Sequence, residues 1–574
     1  MRKRFAAGAF VFAVLVVSCG DSNGSDSAAA DGGGTDANRD DGALSDGGGE
    51  GGNSSDSGPI PPPGSVCTST VTLADVSAPT TVVGKAGGPP CSEAGLQTAL
   101  DVGGVITFAC GGTAANPFVI KMTAERTVDK TTVIDGGGTI VLSGDMKARI
   151  LKIGHGDFTE KATMITVQNL TFRDGRTTDV VNTTSTATGG AAIYRVGAQL
   201  TVVDCTFQGN IGPVTGQDVA GGAIYSIGGG ATKISGSTFS GNACSNGGAL
   251  GNLGVANLTI FNSTFDGNTA TGLNANPGNG GNGGAISFDG PASSGCNGSV
   301  AMPPYTPIDI TVCGATFHAN HAGIGAFGGA IFRTVDTTCV PKNTGPVTID
   351  KSTFDANTAD NSGALYLHQI DLTMTNSTVS NNVAKGAGGV RVEGAAAADV
   401  TINLTNVTIA NNTATDGLGG GFYFGSNIAG GTLANLTVAG NEVKTTSGNM
   451  YATFGAGFMG TTGTIALYNS IIANNKKPAP TSGDSANCEA TFTAGAGNIE
   501  FLPGPASPDP HKCTSNSTII DPQLAPLADN GGPTKTMAVP KTSPAVGKGA
   551  SNCQTTDQRG MPRTTPCSAG ALEP

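Results

Sequence analysis

The sequence predicts an all-β fold, a right-handed single-stranded parallel β-helix with three strands in each coil. A strand–turn–strand unit recurs ten times between residues 160 and 475. The composition agrees with this pattern, because the 574 residues include 90 glycines, no tryptophan and only 13% charged residues. Glycine at that frequency suits short strands joined by tight turns. In such a repeat, each coil buries its apolar face on its neighbours.

Each repeat ends its second strand on a large apolar residue, the anchor. The anchors are Phe172, Phe207, Phe239, Phe265, Phe317, Phe354, Val379, Ile409, Val438 and Ile472. The position five residues earlier is also apolar in every repeat, whereas the position three residues earlier is Asn, Asp or Gly in nine of ten. These three residue types tolerate positive φ. We therefore predict a corner of left-handed backbone three residues before each anchor.

Asparagine follows the anchor by three positions in nine of the ten repeats. These residues are Asn210, Asn242, Asn268, Asn320, Asn357, Asn382, Asn412, Asn441 and Asn475. Asparagines stacked at one corner can hydrogen-bond from coil to coil, as in ladders of stacked strands. We therefore predict a structural asparagine ladder there. A third strand is expected to begin at Gly-Gly-Ala sequences such as Gly221–Ala223.

The N-terminus carries the features of an export signal. Arg2–Arg4 is positively charged, and Phe5–Val17 is apolar and of signal-peptide length. The sequence ending at Cys19 resembles a bacterial lipobox, which implies a lipoprotein signal peptide over residues 1–18 and lipid on Cys19. Because Gly20 follows, the resemblance implies the outer membrane, with surface exposure. Residues 19–65 are Gly-, Ser- and Asp-rich and predict a disordered tether.

Besides Cys19, the chain has twelve cysteines, an even number that predicts disulfides in an oxidising compartment. Their spacing matches no zinc signature, so we expect neither metal nor cofactor. Two long insertions, residues 289–307 and 334–346, should form one lobe that contacts a ligand. Within that lobe Cys296 and Cys339 are the candidate disulfide, with Cys313 as the competing partner.

The pairing of Gly-Gly-Ala-Ile with Phe-x-x-Asn resembles the repeat of chlamydial polymorphic outer membrane proteins, over roughly residues 160–475. Several members of that family are adhesins, so the resemblance implies surface display and adhesion. Cys91–Leu100 predicts a helix with Ser92 as its N-cap, and it resembles the opening of many bacterial β-helix proteins. The strands that follow resemble the first coils of the pectate-lyase-like superfamily.

Asp521–Thr534 and Thr556–Gly560 are similar to the C-terminal choice-of-anchor domain of secreted bacterial β-helix proteins. Cys567–Glu573 departs from that signature, because it lacks the usual Asp and Tyr. The predicted organisation after the tether is a cap with first coils (66–160), β-helix repeats (161–480), and C-terminal coils with a choice-of-anchor-like cap (481–574).

Two classes of function remain. Asp266 and Asp355 follow their anchors on the outward face, about two strand spacings or roughly 9–10 Å apart, which suits an inverting glycosidase pair. No third residue supports this pair, and we assign His318 and His321 to a turn rather than to a metal site. The alternative is thus a secreted polysaccharide lyase or glycoside hydrolase of the pectate-lyase-like superfamily.

The favoured interpretation is a non-enzymatic cell-surface lipoprotein. It would be held at the membrane by its lipid and would display the β-helix for adhesion or for binding a glycan or another cell-surface ligand. Basic and aromatic residues are not clustered in the way that nucleic-acid binding requires. Nucleic acid is therefore excluded as a partner. We expect a monomer.

Overall fold

The computed structural model describes most of the chain after the predicted tether. The described residues are 65–154, 156–177, 186–253, 257–275, 278–289, 309–334, 345–394, 400–417, 419–444, 455–460, 464–477, 486–489, 492–502 and 512–574. Within them, parallel strands stack coil upon coil into a β-helix, which confirms the predicted fold class.

The wide sheet has 26 strands among the described residues. Most repeats contribute two strands to it: an anchor strand, which contains the anchor residue, and an upstream strand just before it in the chain. The two strands meet at a corner. The upstream strands are Gln199–Val203, Thr232–Ser235, Leu258–Phe261, Ile310–Cys313, Val347–Asp350, Leu372–Thr375, Val400–Thr405, Ile428–Ala434 and Thr464–Tyr468. The anchor strands are Thr206–Gln208, Thr238–Ser240, Thr264–Asp266, Thr316–His318, Thr353–Asp355, Thr378–Ser380, Thr408–Ala410, Thr437–Ala439 and Ile471–Ala473.

The remaining strands of the wide sheet lie toward its two ends. Two strands, Thr132–Ser143 and Met164–Arg173, run through the corner without interruption. The others are Thr81–Val83, Gly104–Phe108, Phe118–Lys121, Thr493–Ala494, Ile499–Phe501 and Thr518–Ile519. Successive anchors pair in parallel and in register, as Phe265 does with Phe317.

The narrow sheet holds the third strand of each coil and has 11 strands among the described residues. They are Arg126–Val128, Leu151–Ile153, Ile193–Val196, Ile224–Ile227, Leu250–Leu253, Ile286–Asp289, Ile331–Arg333, Leu365–His368, Val390–Glu393, Phe422–Phe424 and Phe458–Gly460. Five of these strands begin one residue after the predicted Gly-Gly-Ala positions or their variants.

Short pairs of residues just after the asparagine column form further parallel ladders. They are Ala243–Cys244, Thr269–Ala270, Thr358–Ala359, Val383–Ala384, Thr413–Ala414 and Glu442–Val443. The C-terminal part adds the antiparallel pair Leu527–Ala528 and Thr536–Met537, and a 3-10 turn covers Thr186–Thr188.

Left-handed backbone shapes two corners of every repeat. All ten residues three positions before an anchor have positive φ, from 45° at Asn262 to 66° at Gly314, which confirms the predicted corner. The residues two positions after each anchor are also all left-handed, from 51° at Ala319 to 68° at Gly440. This second set was not predicted. It turns the chain immediately before the asparagine column.

The core contains a stack of six phenylalanine rings. The stacked anchors are Phe172, Phe207, Phe239, Phe265, Phe317 and Phe354. Neighbouring ring centroids lie 4.7–4.8 Å apart and the planes differ by 1–5°. This spacing equals the distance between strands of one sheet. The stack therefore follows directly from placing the same residue at the same position in successive coils.

A helix covers the start of the solenoid. It spans Glu93–Val102, and the Ser92 side chain accepts a hydrogen bond from the Gly95 N–H at its N-terminus. Leu96 and Leu100 are buried against the first coils. The predicted helix and its N-cap are thus confirmed. In the described part of the chain, no helix is long and apolar enough to cross a membrane.

The segment after the predicted tether lies across the outside of the wide sheet. The Cys67 backbone exchanges hydrogen bonds with the Asn262 amide at 2.9 and 2.8 Å, and Ala74 exchanges two with Gln168 at 2.8 and 3.1 Å. Residues 65–75 therefore run back from the middle of the solenoid toward its start. We call them the N-terminal strap.

The C-terminal segment covers the other half of the same face. Gln558 lies buried between coils, where its amide donates to Thr378 Oγ1 at 2.8 Å and accepts from Thr408 Oγ1 at 2.7 Å. Arg563 donates to Asn406 Oδ1 at 2.9 Å. The motif that resembles the choice-of-anchor signature thus fastens this segment to the solenoid.

Candidate functional site

The nine predicted asparagines lie in one continuous buried ladder. Each side-chain NH2 donates to the Oδ1 of the next asparagine at 2.8–3.0 Å, and the ladder continues from Asn475 to Asn487. Each NH2 also donates to the backbone carbonyl of the previous coil's anchor, as Asn382 does to Phe354. All these groups lie inside the turn. Their role is to hold successive coils together.

The outward row that carries the enzymatic alternative is an alternation of acid and imidazole. Asp266, His318 and Asp355 are neighbours in register on three successive anchor strands. His318 Nδ1 lies 2.7 Å from Asp266 Oδ1. Asp355 Oδ1 instead accepts from Ser380 Oγ and Asn381 Nδ2, both at 2.7 Å. The coil between the two carboxylates therefore holds an imidazole that pairs with one of them.

The two histidines of this coil have separate partners. His321 Nδ1 lies 2.6 Å from Thr358 Oγ1, beyond the asparagine corner, whereas His318 contacts Asp266. Among the described residues, the one group of three potential metal ligands is Cys67, Cys313 and Asp350. Its two sulfur atoms are bonded to each other, so this group offers no thiolates to a metal.

Four disulfides join described cysteines: Cys67–Cys313, Cys91–Cys110, Cys488–Cys513 and Cys553–Cys567. Cys313, the alternative partner considered for the lobe cysteines, is bonded instead to Cys67, which the strap brings to it from 246 residues away. The predicted Cys296–Cys339 disulfide stays a prediction.

Cys205 and Cys244 are buried free thiols, which corrects the expectation that every remaining cysteine is paired. The Cys205 side chain is buried among the core residues. Burial there raises the pKa of its thiol to about 12. Cys19, Cys296, Cys339 and most of the predicted lobe lie outside the described residues.

A cluster on the outward face of the narrow sheet was not found from the sequence. We call it the Arg391 cluster, and it comprises Phe327, Tyr366, His368, Arg391, Glu393 and Tyr423. The Arg391 guanidinium carbon lies 5.2–5.6 Å from the centroids of three aromatic rings. Its Nε and Nη2 donate to Glu393 Oε2 at 3.0 and 2.8 Å. The Tyr366 hydroxyl donates to the other carboxylate oxygen.

The charges of this cluster are fixed by their neighbours. Burial alone would lower the pKa of Arg391, but the adjacent Glu393 carboxylate, together with Tyr366 and Tyr423, outweighs burial and raises that pKa. Burial lowers the pKa of His368, with Glu393 opposing in part, so the imidazole is neutral at pH 7. The Arg391 and Glu393 side chains remain 18% and 16% exposed. A paired cation and anion thus lie among aromatic rings at the surface.

The signal for this cluster is present in the sequence but lies in the third strands. Tyr366, Arg391 and Tyr423 occupy the same register position on successive strands of the narrow sheet. Glu393 pairs with His368 two residues farther along. Strand residues alternate between the two faces of a sheet. Aligning these third strands would therefore have placed the side chains of Tyr366, His368, Arg391, Glu393 and Tyr423 together on the outward face.

No known protein-family profile matches this chain, and no curated protein is significantly similar to it. The class of protein is therefore set by the structure alone: a disulfide-bonded parallel β-helix whose outward face carries an aromatic and charged cluster. Four disulfides are typical of an exported protein.

Proposed function

We propose that this chain is an exported surface lipoprotein that displays its β-helix and binds a glycan through the Arg391 cluster. The disulfides and the signal-like N-terminus support export, and the lipobox-like sequence at Cys19 supports a lipid anchor. The observation that carries the binding proposal is the paired Arg391 and Glu393 among three aromatic rings.

This arrangement suits a sugar for two chemical reasons. Aromatic side chains offer flat apolar faces of the kind that line ligand sites, and a few fixed polar groups supply orientation. A sugar ring presents an apolar C–H face together with hydroxyl groups. The carboxylate can accept from those hydroxyls and the guanidinium can donate to them. Since Glu393 already holds Arg391 in place, little ordering of side chains is needed on binding.

We expect Glu393→Gln to weaken glycan binding about tenfold or more, because the variant keeps the shape but removes the charge that orients Arg391. The measurement is a glycan array on the detergent-solubilised full chain, followed by titration of the best ligand. Glu442→Gln is the matched control, since Glu442 also lies on a strand beside a cation, with Lys444 at 3.3 Å. Equal binding by Glu393→Gln and wild type would refute the assignment of this cluster.

We expect Cys19→Ala to shift the protein from membrane fractions to soluble fractions without changing its fold. The reason is that a lipid on Cys19 would be the anchor, and the described fold begins only at Ser65. Cell fractionation with immunoblotting measures the distribution, and far-UV circular dichroism checks the fold. Retention of the variant in membranes would show that another attachment holds the protein.

A second function, hydrolysis or lyase cleavage of a polysaccharide, is favoured by the Asp266–His318 contact at 2.7 Å with Asp355 next in register. Incubating the full chain with a panel of polysaccharides and measuring new reducing ends or unsaturated products tests it. Activity that is lost in both Asp266→Asn and Asp355→Asn would establish the enzyme. Activity that survives both substitutions would place any cleavage elsewhere.

A further inference from the structure

The Cys67–Cys313 disulfide differs from the other described disulfides in the order of its cysteines. The other three each join cysteines that are consecutive in the sequence and 14–25 residues apart. Cys67 and Cys313 are 246 residues apart. The cysteines that lie between them in the sequence are Cys91, Cys110, Cys205, Cys244 and Cys296. Pairing each cysteine with the next one along the chain therefore cannot give the native set of disulfides.

The folded solenoid is what brings Cys67 to Cys313. Hydrogen bonds of 2.8–3.1 Å hold the strap to the side chains of Gln168, Ser235 and Asn262. These three residues belong to coils that precede Cys313 in the chain. With the strap in place, the Cα atoms of the two cysteines lie 6.0 Å apart. The native disulfide therefore forms after the coils up to Cys313 have folded.

Before folding, Cys67 has nearer partners. Cys91 follows Cys67 by 24 residues. Loop-closure entropy makes that contact roughly thirtyfold more probable than contact across the 246 residues to Cys313. In a chain exported during synthesis, at about 5–20 residues per second, Cys313 also follows Cys67 by roughly 10–50 s. We therefore expect Cys67 to pair first with Cys91 or Cys110.

Two further thiols compete before folding and are withdrawn by it. Cys205 and Cys244 are buried free thiols in the folded chain, and burial raises the pKa of both to about 12. In an unfolded chain a cysteine has a pKa of about 8.5, so part of it is thiolate, the form that attacks disulfides. Exchange among the cysteines therefore belongs to the folding stage and ends when the core closes.

We propose that maturation of this chain requires a disulfide isomerase as a partner. The isomerase thiolate attacks the Cys67 sulfur of a Cys67–Cys91 disulfide, that bond breaks, and Cys91 leaves as a thiolate. Once the coils have folded, the Cys313 thiolate attacks the same Cys67 sulfur and the isomerase thiolate leaves unchanged. A protein disulfide oxidase then takes two electrons and two protons from the thiols of Cys91 and Cys110. This partner rests on neither the glycan site nor the lipid anchor.

Refolding of the reduced, unfolded full chain tests the proposal. A protein disulfide oxidase is added to two samples, and protein disulfide isomerase to one of them. Aliquots are alkylated at intervals, and disulfide-linked peptides are mapped by mass spectrometry without reduction. With oxidase alone, we expect the Cys67–Cys313 bond to form at least about tenfold more slowly than with isomerase, because the nearer partners of Cys67 trap it. The Cys553–Cys567 bond, between consecutive cysteines, should form equally fast in both samples.

A double variant, Cys91→Ala with Cys110→Ala, removes the two nearest competitors together. Its Cys67–Cys313 bond should then form at rates that differ no more than about threefold with and without isomerase. The matched control, Cys488→Ala with Cys513→Ala, removes a distant disulfide and should keep the dependence of the wild type. Equal rates for the wild type in both samples would overturn the proposal. So would early wild-type aliquots in which Cys67 is already paired with Cys313, a result that needs neither variant to fold.

Discussion

Replacing Phe265 with alanine is expected to lower the free energy of unfolding by about 3–5 kcal/mol, the range for large aromatic residues in a core. Phe265 is 0% exposed and its ring lies 4.8 Å from the rings of both Phe239 and Phe317. Removing it leaves a cavity that the fixed coil spacing prevents from closing. Urea unfolding followed by far-UV circular dichroism gives the change.

Phe158→Ala is the control for that measurement, because Phe158 is 57% exposed and lies outside the stack. We expect the control to change stability by no more than about 0.5 kcal/mol. A loss below about 1 kcal/mol for Phe265→Ala would contradict the tight packing of the stack.

Asn382→Ala is expected to cost about 3 kcal/mol or more, since each buried group left unpaired costs about 1–3 kcal/mol. The Asn382 NH2 donates to Phe354 O at 3.0 Å and to Asn412 Oδ1 at 2.8 Å. Its Oδ1 accepts both the backbone N–H and the side-chain NH2 of Asn357, at 2.9 and 3.0 Å. The same unfolding experiment measures the loss.

Asn403→Ala provides the matched comparison for the ladder. Asn403 lies on the neighbouring upstream strand, is exposed, and accepts one hydrogen bond from Thr432 N at 3.1 Å. We expect its substitution to cost at most about 0.5 kcal/mol. If both asparagines cost the same, the ladder would not be a principal source of coil–coil stability.

The repeat could be predicted because its columns obey local rules. The left-handed corner three residues before each anchor selects Asn, Asp and Gly, and the inward positions select apolar residues, so both columns are visible in one sequence. Lys351 occupies the same corner with a φ of 46°. Its presence there shows that the neighbouring coils, and not residue preference alone, impose the conformation.

The recurring Gly-Gly-Ala sequences were visible in the sequence, but the structural reason for their second glycine was not. A Cβ on Gly363 would lie 2.0 Å from the Gly388 carbonyl oxygen in the next coil, and one on Gly329 would lie 2.0 Å from Gly363 O. Only the folded structure brings these backbones so close. The second glycine of the Gly-Gly-Ala sequence is therefore required by the distance between coils as well as by the turn.

The strap and the Arg391 cluster show what a local pattern cannot give. The strap contacts coils 94 and 246 residues away, through Gln168 and Cys313 respectively, and no sequence periodicity marks such distant partners. The Arg391 cluster depends on the register of third strands separated by insertions of variable length. The most regular columns of the sequence belong to the wide sheet, and the predicted carboxylates Asp266 and Asp355 lie there.

The Cys67–Cys313 disulfide determines where a pulling force on the N-terminal segment would be transmitted to the solenoid. A pull on the N-terminal segment reaches the described fold at Ser65 and passes two residues later through the Cys67 sulfur to Cys313. Residues 68–312 then form a covalently closed loop that tension cannot extend. The first half of the solenoid would stay folded under force, and the load would fall on the coils from Cys313 onward.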